Sequence, residues 1–437
     1  MPAEYRSGDS VRSLRGVTRR RVRPAVDDQD ERSLAESDDR GRAHSADRLA
    51  GLFGGFRLEH LDGASDTRTM ALIDVDLQSL AGLAMIDELD RDLLASDLPG
   101  PRMRLMNGVY KAQGREVGSI VQPTPQPGDQ AIVEPFDAVR ELTSGTTIVL
   151  NNIAPRLEGR IRQLSHDLSR VTSTRAQVNA YVSEREASGF GLHWDDHDVL
   201  IVQCRGRKHW EVFAPTALSP VLGYVDQRSA GESLFSIVLE PGMGLFIPRG
   251  WGHRVAGFAD ELSVHLTCGM RRMSGLDLLR GLIEEDLGAT GIAVDTDGRL
   301  LVEPFRGLDL SDAAIESAFA RWRSRSKPLQ KSGTLSVWSA IRRGFEDWQV
   351  TAPSLGAPVF VESSDLDRER EVGLSACGAD FALSRRWVAP FEALLEGQAL
   401  SAKEIREMVP GAEMDECVSW VTELGRRSVI VLEPADA

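Results

Sequence analysis

The triplet His193-Trp194-Asp195, followed much later by Pro248-Arg249-Gly250-Trp251-Gly252-His253, constrains the fold of this chain more than any other stretch. In an extended strand, residues i and i+2 point to one face, so the His193 imidazole and the Asp195 carboxylate can grip one ion from the same side. A later strand delivering His253 completes a two-histidine, one-carboxylate set. Such a set suits non-haem Fe(II), because it covers one face of the metal and leaves adjacent coordination positions open. The fold must then hold two distant segments side by side with polar side chains turned inward.

The surrounding pattern fits that demand. Ser188 to Leu192 is a small-residue approach, and Val199 to Gln203 is a continuous apolar strand signal. Arg205-Gly206-Arg207 reads as a hairpin turn, after which Lys208 to Phe213 alternates as a strand does. Leu234–Leu239, Leu245–Ile247 and Leu262–Thr267 repeat the style around the turn Pro241-Gly242-Met243-Gly244. Antiparallel strands punctuated by glycine turns, with selected polar residues inward, predict a small β-barrel that holds a ligand in its mouth. Upstream, Met70–Val75, Arg102–Val109, Ser119–Val121 and Glu141–Asn151 predict strands, and Leu77–Leu94 and Leu157–Ser169 predict helices. Downstream, Leu276–Leu287, Ala313–Trp322 and Leu335–Trp348 carry apolar residues at helical spacing.

The run Gln177-Val178-Asn179-Ala180-Tyr181, then Gly189-Phe190, His193-Trp194-Asp195, Asp198, Gln203, Gly206, Lys208 and Trp210, with Ile247 to Trp251, His253, Ser263 and His265 to Thr267, resembles the ribosomal-oxygenase branch of the JmjC-type cupin hydroxylases. The resemblance is strong from residue 102 to residue 270 and weaker to the C-terminus. It implies an α+β fold: a double-stranded β-helix (the cupin or JmjC barrel) followed by a helical dimerisation region and a C-terminal winged-helix-like domain. It implies His193, Asp195 and His253 as ligands of Fe(II), and Lys208 as the holder of the distal carboxylate of 2-oxoglutarate. That cosubstrate would chelate the iron and leave the last position to dioxygen. The implied activity is hydroxylation of a side chain of a protein or peptide, a ribosomal protein in this branch. A natural-product precursor peptide as substrate, demethylation by the same chemistry, and a catalytically silent binding or regulatory cupin stand as alternatives. One departure is local: many relatives carry an acidic residue in the turn that here reads Pro241-Gly242-Met243-Gly244.

The sequence adds its own argument for Lys208. Of 51 basic residues only Lys111, Lys208, Lys327, Lys331 and Lys403 are lysine. An arginine-dominated chain that places a lysine two positions before Trp210 on a barrel strand has a use for a compact ammonium on a flexible stem; the alternative is a solvated strand lysine. Asn179 and Tyr181 share a strand face and either reach the metal or cosubstrate, as the resemblance implies, or serve as a core amide and a packed ring. His197, four residues after His193, reads as a rim residue because the flanking pattern is not helical. His209 has opposite parity to Lys208 and faces outward. His265 shares parity with Ser263 and Thr267, a polar face that lines the pocket or serves structure. His44, His60 and His166 fall outside the motif region.

A formal charge of -15 over 437 residues argues against generic nucleic-acid binding and is compatible with a basic protein partner. Cys204, Cys268, Cys377 and Cys417 form no Cys-x-x-Cys pair, which fits reduced thiols, and the absence of a long apolar run or secretory leader predicts a cytoplasmic protein without a membrane segment. Residues 1–48 carry a basic head, Arg12 to Arg23, and an acidic follow-on, Asp27 to Asp39, and so predict a disordered tail. The head either touches RNA or is a solvated tail, or the start codon is overcalled. The expected parts are thus a tail over 1–48, a catalytic barrel over 49–270, a helical and dimerising region over 271–355 and a winged-helix-like domain over 356–437. In the last, Ser384–Leu395, Ser401–Ile405 and Asp415–Leu424 predict helices and Val429–Leu432 a closing strand. Asp415 to Leu424 is acidic, so no direct DNA contact is expected of it.

Overall fold

The computed structural model describes residues 10–14, 17–21, 28–54, 69–79, 89, 103–106, 121–122, 132–133, 135–155, 157, 160–185, 191–215, 232–259, 261–286, 311–325, 337, 348–352 and 359–434. In chain order the elements are β1 Val11–Ser13, β2 Val17–Arg21, α1 Gln29–Leu52, β3 Phe53–Gly54, β4 Ala71–Val75, β5 Met103–Met106, β6 Val121–Gln122, β7 Ile132–Val133, α2 Pro135–Thr143, β8 Thr147–Leu150, α3 Arg160–Thr172, β9 Ala176–Ser183, β10 Asp198–Arg205, β11 Lys208–Phe213, β12 Ser233–Leu239, β13 Met243–Ile247, β14 Gly252–Ala256 and β15 Ser263–Met270. Then follow α4 Gly275–Asp286, α5 Asp312–Arg325, β16 Trp348–Thr351, β17 Val359–Ser363, β18 Glu371–Ala376, β19 Ala379–Ser384, α6 Val388–Leu395, β20 Leu400–Ser401, α7 Ala402–Met408, α8 Met414–Arg426 and β21 Val431–Pro434. The chain divides into two compact units, one of residues 46–168 and 176–272, the other of residues 1–45, 169–175 and 273–437.

The first unit is the barrel. Its larger antiparallel sheet has the order β3-β4-β13-β10-β15-β9-β8-β5, and its smaller one the order β12-β11-β14. Successive strands alternate between the two: β10 lies in the large sheet, β11 and β12 in the small, β13 in the large, β14 in the small and β15 in the large. That winding is a double-stranded β-helix. It corrects the expectation of a hairpin at Arg205-Gly206-Arg207, because β10 pairs with β13 and β15 while β11 pairs with β12 and β14. The turn is a crossing between sheets. Gly206 takes a φ of 59°, and a Cβ there would meet the Leu262 carbonyl oxygen, so both the conformation and the space require glycine. Buried Gln203 ties the crossing down, its amide nitrogen 2.8 Å from the Arg205 carbonyl, 2.9 Å from that of Gly206 and 2.9 Å from Ser263 Oγ.

Val199, Ile201, Leu245 and Ile247 of the large sheet pack with Trp210, Val212 and Leu239 of the small one. Each such aliphatic side chain is worth about 1.5–3 kcal/mol once removed from water. The same parity that buries Trp210 and Val212 turns Lys208 inward. Glu141 to Thr143, expected as the start of a strand, ends helix α2 instead, and the strand begins at Thr147. The expected helices over Leu77–Leu94 and Leu335–Trp348, and Gly189-Phe190, lie largely outside the described residues; Trp348 itself opens strand β16.

The second unit corrects the disordered tail expected over 1–48. Residues 29–52 form a helix whose buried stripe is Leu34, Ser37, Asp38, Gly41, Ser45 and Leu49. These recur at helical spacing, but most are small or polar, so hydropathy does not reveal the stripe. Within this unit the charges are answered by distant partners: Arg385 binds Asp28 and Asp30, Arg40 binds Glu396, and Arg12 binds Glu371. Strands β1 and β2 occupy the two opposite edges of a sheet ordered β1-β19-β18-β17-β2. From Ser13 to Val17 the chain can reach about 14 Å at full extension, whereas a flat sheet of this order would set its outer strands about 19 Å apart. The sheet must therefore curl until its edges approach one another. Strands β17 to β19 fall in the part expected to be winged-helix-like, where no element was expected before Ser384, and α6, α7 and α8 pack with the sheet β20-β16-β21 around a large apolar core centred on Trp387, Phe391 and Trp420. No helix among the described residues is long and apolar enough to cross a membrane.

Candidate metal and anion site

The segment from His193 to Asp198 crosses from one sheet of the barrel to the other. His193 forms an isolated antiparallel bridge with His253 of β14, through backbone hydrogen bonds of 3.1 and 2.7 Å, and five residues later the chain enters β10. Gly250 N donates to the Asp195 carbonyl at 3.0 Å, and Arg249 N donates to buried Asp198, which also pairs with Arg272 at 3.1 Å. The two halves of the motif are thus locked by backbone bonds before any side chain is considered.

These bonds bring His193, Asp195 and His253 together, with ligand atoms all within 4.8 Å of one another. His253 Nε2 lies 3.6 Å from Asp195 Oδ2, and the two imidazole centroids are 4.3 Å apart. Two adjacent ligands of one ion at about 2.1 Å would sit about 3 Å apart, so the trio needs only a small closure to bind. The histidines are also set in the right tautomer. His193 Nδ1 faces the Gly191 carbonyl at 3.1 Å and His253 Nδ1 that of Trp251 at 3.3 Å. A carbonyl only accepts, so each Nδ1 carries the proton and each Nε2 offers its lone pair. Burial, then the neighbouring His193, lowers the His253 pKa to about 4, which keeps that lone pair free at neutral pH. Among the described residues this is the one cluster with a metal-ligand arrangement.

Deeper in the barrel lies a second constellation. Lys208 is only 3% exposed, and burial lowers its pKa to about 7. No carboxylate among the described residues pairs with it. Opposite, His265 of β15 stacks on Tyr181 of β9, with ring centroids 4.7 Å apart and planes 7° from parallel, and meets Trp210 edge-on at 5.6 Å. Trp210 also approaches His253, with ring centroids 6.0 Å apart. Trp210 Nε1 and His265 Nδ1 are buried without a hydrogen-bond partner. Buried polar atoms are ordinarily satisfied, and a buried ammonium is ordinarily paired, so this interior has the chemistry of an anion site.

The sequence-predicted residues divide accordingly. Lys208 and Tyr181 line the buried polar interior. Asn179 instead accepts the backbone N–H of Asn152 at 2.8 Å, holding that residue in its left-handed conformation, φ 51°; the core-amide reading accounts for this bond. His197 sits at the rim against Gly269 and Asp196, and His209 faces outward to Ser236. Sequence reading left His265 open between pocket and structure. It missed the bracing roles of Gln203, Asp198 and Asn152; the only signal was that Asp198 and Gln203 interrupt the two ends of an otherwise apolar run.

Residues 155–278 match the family model described as the JmjC domain. Among curated proteins, "Bifunctional lysine-specific demethylase and histidyl-hydroxylase NO66" of Drosophila persimilis is 35% identical over 109 residues, 24% of this chain and 16% of that protein. The protein of the same description from Brugia malayi is 37% identical over 170 residues, 37% of this chain and 22% of its own length. "Ribosomal oxygenase 1" of Danio rerio is 35% identical over 141 residues, 31% of this chain and 25% of that protein. The chain therefore spans no more than a quarter of the length of these relatives. The solved Escherichia coli ribosomal oxygenase YcfD in complex with cobalt and 2-oxoglutarate is 15% identical, with a TM-score of 0.45, covering 86% of this chain and 97% of that one.

Proposed function

We propose that this chain, which carries a JmjC domain similar to that of the ribosomal oxygenases, is an Fe(II)- and 2-oxoglutarate-dependent dioxygenase that hydroxylates a side chain of a protein or peptide. The observation that carries the reading is the combination of a three-residue metal-ligand cluster with a buried lysine that has no carboxylate partner among the described residues of the same barrel. A silent binding module has no use for both. His193, Asp195 and His253 would hold the iron through two Nε2 atoms and a carboxylate oxygen, each imidazole oriented by its backbone carbonyl. When bound, iron of this kind supplies oxidation of a C–H bond at the expense of 2-oxoglutarate and dioxygen. Lys208 holds the remote carboxylate of 2-oxoglutarate, and binding returns that lysine to its charged form. Trp210, Val212 and Leu239 keep water out between the two ends of the site.

A ribosomal protein is the proposed substrate, supported by the description of the Danio rerio relative and by charge complementarity between an acidic chain and a basic partner. The helices α6 to α8 with β16, β20 and β21 are read as a winged-helix-like module for protein contact. Asp415 and Glu416 in the first turn of α8 would repel a phosphate backbone. Leu276 and Leu279, one turn apart on α4 and 40% and 47% exposed, support a homodimer through that helix. Four buried free thiols support a reducing, cytoplasmic location.

The test is succinate formation from 2-oxoglutarate by purified protein with Fe(II) and ascorbate, beside His193→Ala and Asp195→Ala. Turnover by the unsubstituted protein alone is expected; its absence even with candidate peptides would leave the binding-module reading. Intact masses of ribosomal proteins from cells with and without the gene then test the substrate. If none differs by one oxygen atom, the ribosomal assignment falls and a precursor peptide becomes the better candidate.

A further inference from the structure

Within the barrel interior, His265 has a geometry that a purely structural histidine does not need. Its ring is clamped between Tyr181, face to face, and Trp210, edge to face, so it cannot swing away to find another partner. It is paired in register with Tyr181 on one side and Gln203 on the other, inside the sheet and far from bulk water. Its Nδ1 is nonetheless buried with no hydrogen-bond partner. Burial and the nearby Lys208 charge push its pKa well down, so the ring is neutral and carries one N–H. A neutral donor, held rigid near Lys208, which has no carboxylate partner among the described residues, fits a ligand that brings a carboxylate: one oxygen for the charge and one for the directional bond.

We propose that His265 is a positioning residue for the cosubstrate, its Nδ1–H donating to the remote carboxylate of 2-oxoglutarate beside Lys208. This rests on the function proposed above and deepens it. Lys208 alone would fix a charge but not an orientation, since an ammonium on a four-carbon stem accepts many approaches. The imidazole sets the carboxylate plane, and with it the position of the keto acid end that must reach the metal. The Tyr181 stack acquires a role at the same time: it holds the donor in place.

The test is 2-oxoglutarate affinity of the Mn(II)-loaded full chain by calorimetry, with Mn(II) affinity measured separately, for His265→Phe, His265→Asn and His265→Gln. Phe keeps the stack and removes the donor. Asn places its amide nitrogen near the histidine Nδ1 position, and Gln places its own near Nε2. We expect His265→Phe to weaken 2-oxoglutarate binding roughly 10- to 100-fold, the worth of a charge-assisted hydrogen bond, with Mn(II) affinity unchanged. His265→Asn should recover most of the loss and His265→Gln little of it. In turnover, KM for 2-oxoglutarate should rise with kcat nearly constant. Wild-type affinity in His265→Phe would overturn the proposal while leaving the function intact. Equal losses in Asn and Gln would overturn it as well, marking a packing role, and that pair decides the matter if the Phe variant does not fold. If the unsubstituted protein itself binds no 2-oxoglutarate, the function proposed above fails, and this inference with it.

Discussion

Both units of the molecule bury paired charges, but among the described residues the barrel also buries a lysine with no carboxylate partner. In the unit built from the N- and C-terminal segments, ionic groups meet counter-charges: Arg170 is buried against Asp38 and the Leu395 carbonyl, while the partly exposed Arg385 pairs with Asp28 and Asp30 and the partly exposed Arg12 with Glu371. In the barrel, Asp198 and Asp167 are likewise answered by Arg272 and Arg48, but Lys208, His253 and His265 are buried where burial itself opposes their charged forms, and no carboxylate among the described residues pairs with the lysine. The first arrangement spends its polar groups on holding the chain together. In the barrel interior, Lys208 has no carboxylate partner among the described residues and His265 Nδ1 no hydrogen-bond partner, at a cost to stability, as expected of groups that wait for a ligand.

The largest effect should come from the metal ligands. Asp195→Ala is expected to lower succinate formation by at least about 1,000-fold by removing one of three ligands, with metal content by mass spectrometry falling in step and the melting temperature almost unmoved. A collapse of the fold instead would mean that the trio is structural and would erase the contrast. Next, Lys208→Met should weaken 2-oxoglutarate binding by roughly 100-fold yet raise Tm by about 2–4 °C per kcal/mol gained. The gain arises because an uncompensated buried ammonium is replaced by an apolar side chain of similar length. A variant that loses both affinity and stability would show Lys208 to be paired after all.

The pH dependence sharpens the same point. In the free protein Lys208 titrates at about 7, below its ordinary value, so its charged form is complete below that pH and is lost above it. Affinity for 2-oxoglutarate should be level below pH 7 and fall by about tenfold per pH unit above it. Binding near pH 8 should take up about one proton, read from calorimetry in buffers of different ionisation enthalpy; proton release on binding would contradict the assignment. The smallest effect belongs to the other unit. A Cβ at Gly41 would meet the Leu395 carbonyl and the Arg170 guanidinium, so Gly41→Ala should cost about 1–3 kcal/mol of stability and leave metal affinity as it was. Equal damage to metal binding would show that packing at Gly41 and the metal site are coupled.

Much of the site was legible because strand parity is a local property. His193 and Asp195 share a face, Lys208 precedes Trp210 by two, and Ser263, His265 and Thr267 alternate, and each of these relations survives in the folded chain. The charged N-terminal segment was misread for a related reason. Its helix is held by small residues that hydropathy does not register and by ion pairs more than 350 residues apart in sequence, as Arg12 with Glu371 and Arg385 with Asp28.

The sequence by itself determined which side chains turn toward the barrel interior, because a two-residue period needs only neighbours to declare itself. Only the tertiary structure decided which strands lie side by side. The turn at Gly206 is a crossing and not a hairpin because β13 and β15 flank β10, and the outer strands of the curled sheet come from the far end of the chain. Pairing across such distances is chosen by the whole set of competing edges and buried partners, and no window of neighbouring residues contains that choice.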